Sequence, residues 1–544
     1  MRQIITSNQH YLEFIGKENY LSIVIILVLN LIAAICHLLV IYFINKTLAT
    51  IESFSPYYSL TCILFFVLYV FNLRWGFVRS SNTIETSAAR LRNSIVDKIR
   101  HSELKIIEEL HIGEIVIKLT RDVQTLARSL SVYLSLIQVS IFLTLVLIYL
   151  CWVSFKAFLI ISCFVLIGLI YFHFQKIFIQ KKTHQLQRTE EELFSAVSHR
   201  FLGFKELKIN AVKSIDFNHR CLNPLLAKIK KLRITLGFRY SGNATVIDVL
   251  KLCIFGFILM FFSSSGELLP ILIIVYTLDD AIWALMCYLP DFWKGIVAME
   301  RINQLNEKLD KLSIQKINNS GLVQEFDASP FKQLKINDLT FKYTDKQGDP
   351  LYLLGPLDLT VNAGEILFII GGNGSGKSTL MKIISGLYPP YSGVFTLDSE
   401  KVRISDYQFM YSIIFSDYYP FDRFWGIDQI DHQKLIKLLN NLDLNHKTQW
   451  DGEKFTHTDL STGQKKRLAL ILSLMEDKEI FIFDEWAAEQ DPEFRYYFYH
   501  HVLSDLKAAG KAVIIVSHDD QYFKYADRIV KMENGRIAAT IVNQ

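Results

Sequence analysis

The run Gly371-Gly372-Asn373-Gly374-Ser375-Gly376-Lys377-Ser378-Thr379 stands between an apolar strand-like stretch, Ile366 to Ile370, and an apolar stretch of helical spacing from Leu380. Glycines at these positions let successive backbone N–H groups turn toward one anion, and the N-terminus of the following helix adds partial positive charge. The pattern G-x-x-x-x-G-K-S in a strand-loop-helix setting is a cradle for a polyphosphate. Lys377 is spaced to reach the β- and γ-phosphates, and the Ser378 hydroxyl to hold Mg²⁺.

A second apolar strand, Ile480 to Phe483, ends in Asp484-Glu485. One carboxylate there would reach the metal, Asp484 through water, and the other would stand near the γ-phosphate, where Glu485 can polarise an attacking water as general base. An acidic pair ending a strand is by itself more often a solvated turn; the phosphate cradle upstream reverses that expectation. A third apolar run, Ala512 to Val516, ends in Ser517-His518.

Between the first two motifs lies Leu460-Ser461-Thr462-Gly463-Gln464, followed by Lys465-Lys466-Arg467. Here the chain resembles the ABC proteins: the pentapeptide is similar to their LSGGQ signature, with Thr462 where the first Gly is usual. The resemblance implies that Ser461, Gly463 and Gln464 present donors at a helix N-terminus to a γ-phosphate held by the opposite subunit. By the same resemblance Tyr343, in Phe341-Lys342-Tyr343, stacks on adenine; Asp491, ending Ala488-Glu489-Gln490-Asp491, belongs to the D-loop; and His518 is the switch histidine that contacts the γ-phosphate. Catalysis is thus expected of Glu485, His518 and Lys377. The pattern departs at the Q-loop, where Ile413-Ile414-Phe415-Ser416-Asp417 offers Ser416, whose shorter side chain reaches Mg²⁺ only with a water or a loop shift.

The strings GGNGSGKSTL, STGQKKRLAL, FDEWAAEQDPEFR and SHDDQYF carry the resemblance further, to the bacterial cyclic-peptide exporters, a family that includes exporters of lasso-peptide microcins and pyoverdine-type siderophores. The implied fold is a membrane all-α domain of about six helices, of exporter type, joined to an α/β P-loop NTPase. ATP and Mg²⁺ are the implied ligands. Because the phosphate cradle of one domain faces the signature of another, a chain with one copy of each needs a second copy, and a homodimer is the default.

Elements able to hold such an engine in lipid precede the soluble part. Mean hydropathy is +0.24, and the apolar residues crowd into the first three hundred positions or so. Four runs free of charge are long enough to cross ~30 Å of hydrocarbon: Asn19 to Asn45, Ser53 to Leu73, Ser129 to Phe155 and Ala157 to Gln175. Two weaker spans follow, Val246 to Gly266 and Leu268 to Pro290. Arg79, Arg90, Arg92, Lys98 and Arg100 fall between the second and third spans, and Lys181, Lys182, Arg188, Arg200 and Lys205 between the fourth and fifth. This distribution makes those long segments, and both termini, cytoplasmic. Their helical spacing reads as helices continuing beyond the bilayer, and the resemblance implies coupling helices near Ile107 to Gly113 and Leu202 to Asn210. The boundaries that follow are a membrane domain over 1–312, a linker over 313–330 and an ATP-binding domain over 331–544.

The formal charge of +4 is small for 544 residues, and acidic residues intersperse the basic segments, so nothing points to a nucleic-acid partner. All seven cysteines lie in the N-terminal part without metal-ligand spacing, as small buried hydrophobes do. Asp279 and Asp280 interrupt the last span. A carboxylate at that depth normally faces a partner or a wet cavity, so one of them is expected on the substrate path unless the pair sits at an interface. The expected activity is ATP-driven export of a peptide or peptide-like metabolite (cyclic peptide, microcin or siderophore) across the bacterial inner membrane. Lipid or drug export, or an ATP-gated regulatory membrane protein without cargo, would use the same parts.

Overall fold

The computed structural model describes residues 19–49, 56–110, 112–263, 267–312, 331–344, 350–404 and 407–543. The 313–330 stretch read as a linker lies outside the described residues. The chain divides into two compact units, Met1–His101 with Leu110–Lys311, and Ser102–Glu109 with Leu312–Gln544.

The first unit is helical: α1 (Tyr20–Ala49), α2 (Pro56–Arg100), α4 (Ile112–Ile117), α5 (Val123–Val153), α6 (Phe155–Leu202), α7 (Phe204–Ile209), α8 (Ala211–Phe217), α9 (Asn223–Phe262) and α10 (Leu268–Leu312). The short α3 (Leu104–Glu109) lies between α2 and α4 in the chain but belongs to the second unit. Among the described residues, five helical stretches are long and apolar enough to cross a membrane: Tyr20–Leu48, Pro56–Arg100, Ile115–Val153, Phe155–Leu202 and Ala211–Phe262. The first four carry the charge-free runs, and α9 the fifth expected span. α10, with Asp279 and Asp280 inside it and Pro290 further on, is not among them.

Helix length bears out the expected continuation beyond lipid. α6 has 48 residues and so spans roughly 72 Å, more than twice the hydrocarbon thickness. Inside the unit, Ala34 and Ile41 of α1, Phe142, Val146 and Leu150 of α5, Ile161 of α6, Ile254 and Ile258 of α9, and Ile271 and Ile274 of α10 close one apolar core. Leu60, Ile63, Leu64 and Phe66 of α2 are instead exposed, an arrangement that suits a helix bathed in hydrocarbon.

The second unit holds two sheets. β1 (Gln333–Thr344), β2 (Pro350–Asn362), β4 (Ser392–Leu397) and β5 (Glu400–Val402) form an antiparallel sheet in the order β2-β1-β4-β5. The other sheet runs β10-β9-β3-β8-β7-β6, from β3 (Ile366–Ile370), β6 (Tyr411–Ile414), β7 (Ile480–Asp484), β8 (Ala512–Val516), β9 (Arg528–Glu533) and β10 (Arg536–Val542). In it β9, β3, β8, β7 and β6 are parallel neighbours and only β10 is antiparallel. Strands β3, β7 and β8 are apolar almost throughout and buried, as parallel strands covered on both faces must be. α11 (Lys377–Ile384) packs into the core on one face of this sheet, while α12 (His432–Asn441) and α13 (Thr462–Glu476) contribute to the core on the other.

Candidate active site

In a parallel sheet the loops at the carboxyl ends of adjacent strands share one edge, and ligands bind there. β8 pairs with β3 on one side and β7 on the other, so that Val516 stands opposite both Ile369 and Asp484. The phosphate-cradle sequence, Asp484-Glu485 and Ser517-His518 therefore leave the sheet side by side, although more than a hundred positions separate the first from the second. β6 adds Ser416 just after its own end.

The cradle has the backbone its sequence demands. Gly376 has φ +102° and caps α11, so the first free N–H groups of that helix open toward the loop. Gly371 has φ +154°, and a Cβ there would lie 2.3 Å from the Met532 carbonyl oxygen, so no side chain fits. Lys377 is buried, its ammonium donating to the carbonyls of Gly371 at 2.9 Å and Gly372 at 3.1 Å. The hydroxyl of Ser375 is buried without a hydrogen-bond partner, a group waiting for an acceptor or donor from a ligand. Tyr343, Tyr352, Asn373, Gly374, Gly376, Lys377, Ser378, Thr379 and Glu485 line one cleft, so the adenine-stacking candidate, the cradle and the proposed base share a single site.

Asp484 is buried, and one of its carboxylate oxygens has no hydrogen-bond partner. Burial pushes its carboxyl above the ordinary range, the Ser378 hydroxyl and the Ser416 N–H pull it down, and the neighbouring Glu485 charge pushes it up. A carboxylate held this way disfavours a bare charge and gains from a cation, so the residues present fit Mg²⁺, with Ser378 and Asp484 to hold it and Mg²⁺ to neutralise phosphate charge. Ser416 meets this group through its backbone N–H rather than its side chain, which is exposed on a turn.

Glu485 has φ +54°, in the left-handed region, and its N–H bonds the Val516 carbonyl at 3.0 Å. That anchoring turns its carboxylate to within 3.3 Å of His518 Nε2. The pair is half-exposed; Glu485 lines the cleft and His518 stands behind it, outside the cleft lining, a geometry in which the carboxylate can take a proton from water while the imidazole holds its orientation. Lys466 was not read as a site residue, yet its buried ammonium donates to the Glu485 carbonyl at 3.1 Å, and the Trp486 indole N–H donates to the Lys466 carbonyl at 2.8 Å. In the sequence Lys466 stands in the middle of the basic triplet Lys465-Lys466-Arg467, where its type does not set it apart from its neighbours.

The signature residues stand elsewhere. Ser461 caps α13 in a reciprocal box with Gln464, whose N–H donates to Ser461 Oγ at 3.4 Å while the Ser461 N–H donates to Gln464 Oε1 at 3.1 Å. The box satisfies the Ser461 and Gln464 N–H groups, which leaves those of Thr462 and Gly463 as the remaining donors of the first turn of α13. The Gly463 carbonyl accepts from Gln490 at 3.1 Å, tying the signature to the D-loop, whose Asp491 begins the helix Pro492–Tyr497. Neither the signature nor Asp491 lines the cleft.

Two further pairings were not legible in the sequence. Glu108 of α3 accepts from Lys382 at 2.7 Å and from the Tyr388 hydroxyl, placing the expected first coupling segment, at least as far as Glu109, on the ATP-binding unit. In the membrane unit Asp279 is ion-paired with Lys251 of α9, so its charge is answered within the chain; the Asp280 side chain is outside the description.

The family model described as "ABC transporter" matches residues 354–488, and that of the "ABC transporter transmembrane region" matches 23–211. The chain is 30% identical over 470 residues to the ATP-binding protein SyrD of Pseudomonas syringae pv. syringae, covering 83% of this chain and 82% of the relative. It is 28% identical to the nisin transport ATP-binding protein NisT of Lactococcus lactis subsp. lactis, over 63% of this chain and 59% of the other. Among solved structures, that of a bacterial Atm1-family ABC exporter with ATP bound superposes with TM-score 0.75 at 15% identity, over 96% of this chain and 95% of that one, which shows a shared fold.

Proposed function

Because the chain belongs to the ABC transporters and is a multi-pass membrane exporter that couples ATP hydrolysis to transport, we propose that two copies form a homodimer exporting a peptide or peptide-like metabolite across the bacterial inner membrane. The observation that carries the dimer is the division of the site. The cleft gathers the cradle, Tyr343 and Glu485, while Ser461 and Thr462 are exposed outside it, so a second copy would cap each phosphate with donors from the start of its own α13. In this reading Lys377 and the backbone of 371–379 hold the phosphates, Ser378 and Asp484 hold Mg²⁺, Glu485 activates water, His518 and Asp491 report the γ-phosphate across the interface, and both termini are cytoplasmic.

Leu202, Ile209 and Val212 in and beside α7 and α8 are among the most exposed apolar residues of the chain. Together with Lys205 and Lys208 they suit docking onto the ATP-binding unit of the second copy, where the second coupling helix was expected. The cargo class is supported by the resemblance to cyclic-peptide exporters and by a relative named for nisin transport. The Lys251–Asp279 pair answers within the chain one of the two carboxylates expected on the substrate path.

The test is vanadate-sensitive ATPase activity and flux in reconstituted membranes. Stimulation by one peptide class, with peptide accumulating in the vesicles and both lost in Glu485→Gln, is the expected result. Stimulation by lipid or drug instead would shift the cargo class, and turnover with no flux of any cargo would favour the regulatory reading.

A further inference from the structure

Tyr388 is almost wholly buried, yet its polar end is not in the core. Its ring stacks on Phe341 with centroids 5.4 Å apart and meets Tyr343 edge to face at 6.0 Å. Its hydroxyl donates to Glu108. A phenol has one proton, and here it is committed to a carboxylate, the stronger kind of acceptor. Glu108 thus holds the Tyr388 ring in place, and that ring packs edge-on against Tyr343, which borders the nucleotide cleft.

Glu108 sits on α3, whose Leu104 packs against the same core that holds Phe341 and Tyr388. The chain runs directly from α3 back into α2, an expected membrane span. Withdrawal of α3 would cost the Tyr388 hydroxyl its charge-assisted bond to Glu108 and would release the Tyr343 ring from its fixed orientation. A second branch leaves Glu108 through the Lys382 ammonium, on the last turn of the helix that begins at Lys377, and would act on phosphates rather than on the base.

Resting on the site reading above, we infer that Glu108 is a positioning residue for the base platform: through Tyr388 it sets Tyr343, so that docking of α3 and stacking of an adenine ring are one coupled equilibrium. Linkage makes the effect reciprocal. An adenine base strengthens α3 docking, and a docked α3 raises affinity for nucleotides with a base over bare polyphosphate.

The experiment measures equilibrium binding of ATP and of inorganic tripolyphosphate to the full-length protein in lipid nanodiscs, without Mg²⁺. Tyr388→Phe keeps the ring packing and the Glu108–Lys382 pair but removes the hydroxyl; Glu108→Gln keeps the size and weakens the acceptor. Both are expected to weaken ATP binding roughly 5- to 10-fold and leave tripolyphosphate binding unchanged, and in a Tyr343→Ala background Tyr388→Phe should add nothing. Hydrogen exchange across Leu104–Glu109 should slow with ATP and not with tripolyphosphate. Equal weakening of both ligands would overturn the relay in favour of the Lys382 branch, and unchanged ATP binding in both variants would overturn it outright while Tyr343→Ala still weakens ATP. Should Tyr343→Ala itself bind ATP as the parent does, the base is held elsewhere, and the site reading falls together with the relay.

Discussion

Glu485 is set by its backbone before its side chain does anything: a left-handed φ, an N–H fixed to β8 and a carbonyl gripped by Lys466 leave its carboxylate beside His518. Glu485→Gln keeps that shape and removes the basicity, so kcat for ATP should fall roughly 10²- to 10⁴-fold with ATP affinity retained, as read by phosphate release and equilibrium binding on one preparation. Gly371 makes a different demand. With φ +154° and a would-be Cβ against the Met532 carbonyl, Gly371→Ala should destabilise the ATP-binding unit by roughly 1–3 kcal/mol and weaken ATP binding, measured as a lowered Tm that ATP no longer raises. Both residues were legible because their motifs are contiguous and each type answers a local backbone or charge requirement. Ser416 was legible only in part: it follows β6 on the edge that carries the cradle, but its side chain is exposed on a turn and it is its N–H that lowers the Asp484 carboxyl, which side-chain identity does not encode. The Glu108–Tyr388 bond joins positions 280 residues apart, and no spacing or periodicity pairs them.

Among the helices and strands, the sequence made the types plain and left their partners open. Charge-free runs announced α1, α2, α5 and α6, and the strong bases beyond them announced that α2 and α6 continue past lipid, because a helix loses little by running from hydrocarbon into water when its composition changes with it. α9 and α10 were weaker for a physical reason that the structure supplies: Lys251 and Asp279 neutralise each other between them, so each helix alone reads as more polar than the pair is. The two residues lie about 16 Å along their helices from Phe262 and Leu268 respectively; with both helices read as spans, an unanswered charge at that depth is expensive. Lys251→Asp and Asp279→Lys should each lower the Tm of the detergent-solubilised protein, and the double reversal should recover most of the loss, with a coupling energy of roughly 0.5–3 kcal/mol. Additive losses would mean that the pair contributes nothing across the helices.

At the level of the molecule as a whole, the proposed homodimer turns on whether a second copy completes each ATP site. The cleft carries a cradle and a base, the capped helix with Ser461 faces away, and a family whose members build the site in trans accommodates both facts. Asn373 and Ser461 are both exposed in the described chain and would meet across the bound nucleotide only if two copies close on it. The direct measurement is oxidative cross-linking of an Asn373→Cys, Ser461→Cys protein that lacks the native cysteines and carries Glu485→Gln, in membranes with and without Mg-ATP. The account expects a covalent species of twice the monomer mass that forms with Mg-ATP and is absent without it. A cross-link confined to the single chain, or no dimeric product at saturating nucleotide, would contradict it.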